Sequence, residues 1–276
     1  MRAGFIGLGN IGKPMAQRLA VRPGSVRVHD AVSDAMDLPN ATAVPSPADV
    51  GAGADLVGIC VRDDDDVRNV VDGPDGLLRT MRGGGIAVHS TVRPSTIREL
   101  AERAAEQDVA LIDAAVTGGP DGAARGELTV MAGGTRRQLD LLRPLIEAYA
   151  SVIVHAGALG AGMTLKLANN LVTYMQLHAA LEAYRFADGA GMKPELLDEV
   201  MSNNGNLTPA MKAYIQYRQT GPERVGADAF LRSQEALAVL ADKDLSLAQE
   251  TAAEFGMTLP GIEALRPIFR HSVTRV

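Results

Sequence analysis

Short apolar runs alternate with amphipathic stretches along the first half of the chain. Residues 4–6, 26–29, 41–44, 56–61, 86–89, 109–113, 128–132 and 152–155 are rich in apolar residues, many of them β-branched, and Gly, Asp or Arg bounds most of them. They read as strands. Helices are expected at 13–20 and 94–106 between them. This alternation predicts an α/β fold with a Rossmann-type, doubly wound, mostly parallel sheet. The pattern changes at Gly157-Ala158-Leu159-Gly160-Ala161-Gly162. Beyond it, residues 163–188 contain no Pro or Gly and keep apolar positions at helical spacing, and a helix there runs about 39 Å. Further helices are expected at 195–202, 209–219, 230–241, 244–255 and 261–270. The chain therefore divides into an α/β domain, 1–160, and an all-helical domain, 161–276, joined by the long helix.

Composition narrows the partners. A net charge of −6 argues against nucleic acid or an anionic membrane. The single Cys60 excludes an internal disulfide and fits a reducing compartment. No apolar run approaches the roughly 18 residues of a spanning helix, and no signal segment precedes the first strand, so a cytoplasmic protein is expected. The run of aspartates at 63–66 lacks the alternate spacing of a calcium loop and reads as a solvated loop capping the next helix. The five histidines show no ligand spacing, and no metal site is expected.

The chemistry starts at the first strand. Gly7, Gly9 and Gly12 form G-x-G-x-x-G, with Leu8, Asn10 and Ile11 between them, directly after a strand and before a helix. In that context the motif binds a dinucleotide. Gly7 permits the tight turn, Gly9 lets backbone approach the pyrophosphate, and Gly12 lets helix and strand pack closely. The second strand ends in Asp30, where an acidic residue takes the ribose hydroxyls. Ala31, Val32 and Ser33 follow with no arginine, which favours NAD over NADP. Ligands of such sheets lie beyond the carboxyl ends of the strands, so the positions following Val61, His89 and Asp113 draw attention, and Val61 joins the cofactor set.

Three further segments stand out. They are Ser90-Thr91-Val92-Arg93-Pro94; Asp113 through Thr117-Gly118-Gly119-Pro120 to Gly134; and Gly157 to Asn170, with Lys166, Asn169 and Asn170 early on the long helix. Lys166 and Asn170 are four apart and share one helix face. A lysine whose pKa is lowered can exchange a proton during hydride transfer. Asn170 can hold the substrate hydroxyl or Lys166 in line. Thr117, Gly118 and Gly119 offer a hydroxyl and open backbone N–H groups suited to a carboxylate.

Together with residues 7–20, these blocks resemble the β-hydroxyacid dehydrogenase family, over nearly the whole chain and in the family's order. The resemblance implies an NAD-dependent oxidoreductase that transfers a hydride between nicotinamide and a small 3-hydroxy acid or its semialdehyde. It implies Lys166 as acid/base with Asn170 beside it, Thr91 near the nicotinamide, and Lys243 over cofactor and substrate. It also implies paired helical domains, hence a homodimer or homotetramer. Leu171, Tyr174, Leu177, Leu181 and Tyr184 are expected to offer more apolar surface than one small domain covers and point the same way. Val88 departs from the family's Asp before Ser-Thr, and Thr117 replaces its usual Ser. An imine reductase-like enzyme is one alternative, although such enzymes replace the lysine and use NADP. A non-catalytic dinucleotide-binding module is another. For the substrate side chain, Asn203, Asn206, Tyr214 and Phe230 are candidate neighbours.

Overall fold

A computed structural model describes residues 1–275 and divides the chain into two compact units, Met1–Lys166 and Leu167–Val276. The first unit contains β1 (Arg2–Ile6), α1 (Gly12–Ala20), β2 (Ser25–His29), β3 (Thr42–Ala43), α2 (Pro47–Gly51), β4 (Leu56–Ile59), α3 (Asp64–Asp72), β5 (Gly85–Val88), α4 (Pro94–Ala105), β6 (Ala110–Thr117), α5 (Gly119–Arg125), β7 (Leu128–Gly133), α6 (Arg136–Ile146), β8 (Ala150–Gly157) and the start of α7 (Ala161–Gly189). The strands form one sheet in the order β3-β2-β1-β4-β5-β6-β7-β8. All neighbours are parallel except β6 and β7. The strand order reverses between β1 and β4, which opens a crevice beyond their carboxyl ends.

Alternation along the strands explains why both faces are covered. Phe5, Val28, Ala87 and Ile112 join a core with Met15, Leu19, Leu139, Leu142 and Tyr149. Their neighbours Ile6, Ile86, Val88 and Leu111 enter a second core with Val67, Val71, Ile97 and Leu100. Successive strand residues point to opposite faces, so apolar residues at every position demand helices on both. Residues 60 and 61, read from the sequence as strand, lie past β4, where the Val61 N–H donates to Ser90 Oγ at 2.8 Å.

The second unit holds the rest of α7 with α8 (Pro194–Asn203), α9 (Pro209–Val225), α10 (Ala227–Glu254) and α11 (Pro260–Thr274). The two helices expected at 230–241 and 244–255 are one continuous α10. No Gly or Pro separates them, and Ala241, Leu245 and Ala248 keep one buried stripe running across the expected gap. Tyr174, Leu177 and Leu181 from α7 pack in one core with Leu245, Ile262, Leu265 and Phe269. These α7 residues, with the half-buried Leu171 and Tyr184 beside them, were expected to be surplus apolar surface. They are instead the unit's own core, because α10 and α11 cover that stripe. The large apolar residues that α7 does leave exposed are Leu165, Val172, Met175 and Phe186. Among the described residues no helix is long and apolar enough to cross a membrane.

The sequence pattern places the domain boundary at the glycine-rich entry, 160/161, whereas the compact units part at Lys166. The first turn of α7 belongs to the sheet unit because Met163 is buried in its second core.

Candidate functional site

The glycine loop is built from what its residues lack. Gly7 has φ +90°, and a Cβ there would lie 2.2 Å from the Cys60 carbonyl oxygen; its N–H donates to His29 O at 3.0 Å. A Cβ on Gly12 would lie 1.9 Å from Gly7 O, so α1 rests directly on the turn. Around Gly9, by contrast, nothing comes within 4 Å of a Cβ position. Two glycines satisfy the protein's own packing, and the third faces open space where a ligand backbone fits. Leu8 is buried beside them, Asn10 is exposed, and Ile11 precedes α1 without a side-chain cap. The first turn of α1 carries no acidic residue either. Its N-terminal N–H groups and positive dipole end therefore suit a diphosphate, and the residues present fit a dinucleotide.

Asp30 does more than the sequence suggested. One carboxylate oxygen accepts the Leu8 N–H at 2.5 Å and the other accepts the Val32 N–H at 2.7 Å. The side chain thus braces the glycine loop, and a carboxylate keeps lone pairs for further donors. Sequence reading looked for an arginine next to Asp30 along the chain, and the fold brings one from the loop after β4 within reach of its charge. Arg62, just past β4, is held chiefly by Asp66, and the charges of Asp63 and Asp30 also hold its guanidinium above the ordinary arginine range.

The aspartate run at 63–66 is not simply solvated. Asp63 caps α3 by accepting the Asp66 N–H at 2.9 Å. Asp64 is buried and accepts from Arg93 N–H, Arg93 Nη1 and Thr96 Oγ1 at 3.0, 3.0 and 2.6 Å. It pins the segment that follows β5, which carries the half-buried Thr91. Burial was the missing information, since a partnered carboxylate and a solvated one look alike in sequence. Among the described residues no group of three or more His, Cys, Asp or Glu is placed to hold a metal ion.

His89 is a core residue. Its Nδ1 lies 2.6 Å from Ala114 O and must donate, so Nε2 accepts the Tyr149 hydroxyl at 2.8 Å. Its ring stacks on Phe5, and burial pushes its pKa down to about 4. At the end of β6, Thr117 leads into Gly118 and Gly119, with φ +125° and +67°. A Cβ on Gly119 would meet nothing within 4 Å. Successive left-handed glycines form a backbone concavity suited to an anion. Lys166 is half-buried in the second turn of α7, the last residue of the sheet unit.

In the helical unit, Asn170 is buried one turn further along α7. Its Nδ2 donates to Asp244 Oδ2 at 2.7 Å, and the Tyr174 hydroxyl donates to the same oxygen at 2.8 Å. Lys243 Nζ lies 3.0 Å from Asp244 Oδ1, a charge contact rather than an aligned hydrogen bond. Asp244 is only 2% exposed, so this buried carboxylate is the hub of the cluster. Burial, reinforced by the Asp244 charge, pushes the Tyr174 hydroxyl up and keeps it a donor. Because the Asn170 nitrogen is committed to Asp244, its carbonyl oxygen is the end left to receive a donor; Asn169 Nδ2 stands 3.4 Å from it. Sequence reading missed Asp244 and Tyr174. The available signal was an aspartate on the apolar stripe of α10, one turn after Ala241.

The candidate neighbours of the substrate side chain are engaged locally or exposed. Phe230 is buried against Gly221 and Tyr217, and Tyr214 donates to Gln234. Asn203 donates to Glu199 O, and Asn206 is exposed.

Comparisons with known proteins agree with this fold. The family model for the NAD binding domain of 6-phosphogluconate dehydrogenase matches residues 2–157. The model for the NAD-binding region of NADP-dependent 3-hydroxyisobutyrate dehydrogenase matches residues 160–275. The chain belongs to the β-hydroxyacid dehydrogenase family and carries its NAD(P)-binding domains. An uncharacterized oxidoreductase of Mycobacterium tuberculosis is 38% identical, over 94% of this chain and 88% of its own. The NAD-dependent L-serine dehydrogenase of Pseudomonas aeruginosa is 33% identical, over 93% and 87%. Among solved structures, Mycobacterium tuberculosis 3-hydroxyisobutyrate dehydrogenase with L-serine is 27% identical with a TM-score of 0.80, covering 98% of this chain and 92% of that one.

Proposed function

We propose that this protein is an NAD-dependent dehydrogenase of a small 3-hydroxy acid, or the reductase of the matching semialdehyde. The observation that carries the reading is the pair Lys166 and Asn170, one turn apart on α7, with the Asn170 amide oriented by the buried Asp244 and Tyr174. A bound nicotinamide dinucleotide supplies the hydride acceptor. The protein's own part is to hold the acid and move one proton. The concavity at Thr117, Gly118 and Gly119 receives the carboxylate. The Lys166 amine accepts the hydrogen bond of the substrate hydroxyl through its lone pair and takes its proton as the carbinol carbon loses hydride, while the Asn170 carbonyl accepts an N–H of that amine and keeps the lone pair in line. In reduction Lys166 returns the proton to the carbonyl oxygen. Asp30 selects NAD by accepting the ribose hydroxyls and repelling a 2′-phosphate. Within the helical unit Asp244 holds Lys243 beside Asn170.

The relatives support the substrate class. L-serine and 3-hydroxyisobutyrate both carry a primary alcohol on the carbon next to the one that bears the carboxylate, and both names occur among similar proteins. Exposed Val172, Met175 and Phe186 on α7 support a homodimer or homotetramer assembled through the helical unit.

A panel of 3-hydroxy acids that includes these two, assayed for NADH formation and repeated with NADP, tests activity and cofactor together. No turnover with any acid or semialdehyde, despite NADH binding, would leave a dinucleotide-binding module without this chemistry. Light scattering at micromolar concentration tests the oligomer, and a monomer alone would rule it out.

A further inference from the structure

Asp113 lies in β6, fully buried, and the chemistry proposed above does not use it. Its Oδ1 accepts the Gly160 N–H at 2.8 Å and its Oδ2 accepts the Met163 N–H at 2.8 Å. The Gly162 N–H also bonds to it. These groups open α7, where intrahelical bonding leaves N–H donors without partners. A strand carboxylate therefore caps the long helix from 47 and 50 residues away in sequence. Burial pushes the Asp113 carboxyl up, and the backbone N–H groups of Gly160, Met163 and Gly162, with its own, oppose that shift.

The space for this contact is reserved by two glycines. A Cβ on Gly133, the register partner of Asp113 in β7, would lie 2.4 Å from Oδ1. A Cβ on Gly162 would lie 2.8 Å from Oδ2 and 2.3 Å from Met131 O. Any side chain at Gly162 would drive the start of α7 away from the sheet. Lys166 follows Met163 by less than one turn, and a helix is stiff over that distance, so whatever seats residues 160–163 also seats Lys166. All of these residues belong to the same compact unit, Met1–Lys166.

We propose that Asp113 is a positioning residue: it clamps the first turn of α7 to the sheet and so sets where the Lys166 side chain begins. The inference rests on the reading of Lys166 given above. Asp113→Asn, Gly162→Ala and Lys166→Ala, prepared beside the wild type, test it. Asp113→Asn replaces one acceptor oxygen with a donor facing donors. Gly162→Ala keeps the carboxylate but displaces the helix. Both should lower kcat by about 10–100-fold, the scale of a misplacement near 1 Å, with KM changed by less than about threefold. NADH affinity, set by the remote loop 7–12, should stay at the wild-type value. Hydrogen exchange of the amides 162–166 should rise about tenfold in Asp113→Asn, which reports local opening.

Wild-type kcat in either variant, with NADH titration showing it folded, overturns the proposal and leaves Asp113 a cap that serves stability alone. Should Asp113→Asn fail to fold, Gly162→Ala decides by the same criterion. Full activity in Lys166→Ala would sink the lysine assignment itself. Loss in Lys166→Ala without loss in the other two sinks only the positioning role. If the wild type turns over no acid, unchanged exchange at 162–166 still overturns the clamp.

Discussion

The glycine loop after β1 and the Asn170–Asp244 cluster are made of different material. The loop works through backbone. Gly7 and Gly12 are excluded from bearing side chains by the Cys60 and Gly7 carbonyls, and no side chain caps the start of α1. The cluster works through side chains. One carboxylate on α10 gathers an amide and a phenol from α7, across 74 and 70 residues of sequence. A backbone site announces itself within a dozen residues, because its demands fall on consecutive positions. A buried polar cluster is assembled from residues that each look ordinary in their own helix.

The comparison can be broken hardest at Lys166, which stands at the end of the sheet unit. Lys166→Ala should lower kcat by roughly 10²–10⁴-fold, the range of acid–base catalysis. NADH affinity, measured by fluorescence titration, should be nearly unchanged. Lys166→Arg should stay inactive, since a guanidinium does not release its proton. If arginine restored most of the rate, Lys166 would be an anchor for the carboxylate, and another group would move the proton.

Asp244 tests the side-chain region. Asp244→Ala leaves the Asn170 amide and the Tyr174 hydroxyl buried without their acceptor, which should cost the helical unit about 2–5 kcal/mol. Asp244→Asn keeps the shape but lets the Asn170 amide turn, and kcat should fall roughly tenfold, as when a hydrogen bond to a charge is lost. Urea denaturation beside steady-state kinetics separates the two effects. If neither variant changed either quantity, the cluster would be incidental.

His89 tests the core under the sheet. Its pKa is about 4 in the fold against 6.5 in a free imidazole. The unfolded chain therefore binds the extra proton first as pH falls, so stability present above about 6.5 is lost between there and about 4. The loss amounts to roughly 3 kcal/mol. His89→Gln keeps a donor and an acceptor but cannot titrate, and should remove that part of the slope. Equal pH slopes in wild type and variant, from urea curves at pH 7 and 4.5, would contradict a buried neutral histidine.

Asp30 gives the smallest effect and the sharpest view of the backbone site. Asp30→Ala should lower kcat/KM for NAD roughly tenfold, the scale of a charge-assisted hydrogen bond, and narrow the gap to NADP. Adding Arg62→Ala should take back part of what NADP gains, because Arg62 is the cation the fold brings toward this position. A wild type that prefers NADP would refute the reading of Asp30.

Much of this was written in the chain. Alternating apolar runs specified the doubly wound sheet, since a strand with both faces apolar needs helices on both sides. The glycine spacing specified the loop, because positive φ and close backbone approach exclude other residues. Lys166 and Asn170 were legible as a pair because helical periodicity is local. What the sequence could not fix were facts of three-dimensional neighbourhood. Asp64 reads as one of four similar aspartates until burial and the Arg93 and Thr96 donors single it out. The α7 stripe at Tyr174, Leu177 and Leu181 reads as a surface awaiting a partner until α10 and α11 cover it. Asp244 and Asp113 read as a helix residue and a strand residue until the fold buries them against Asn170 and the start of α7. Hydrophobic periodicity and backbone conformation act over a few residues and are encoded there. The partner that compensates a buried charge is set by which elements pack together, and only the tertiary structure decides that.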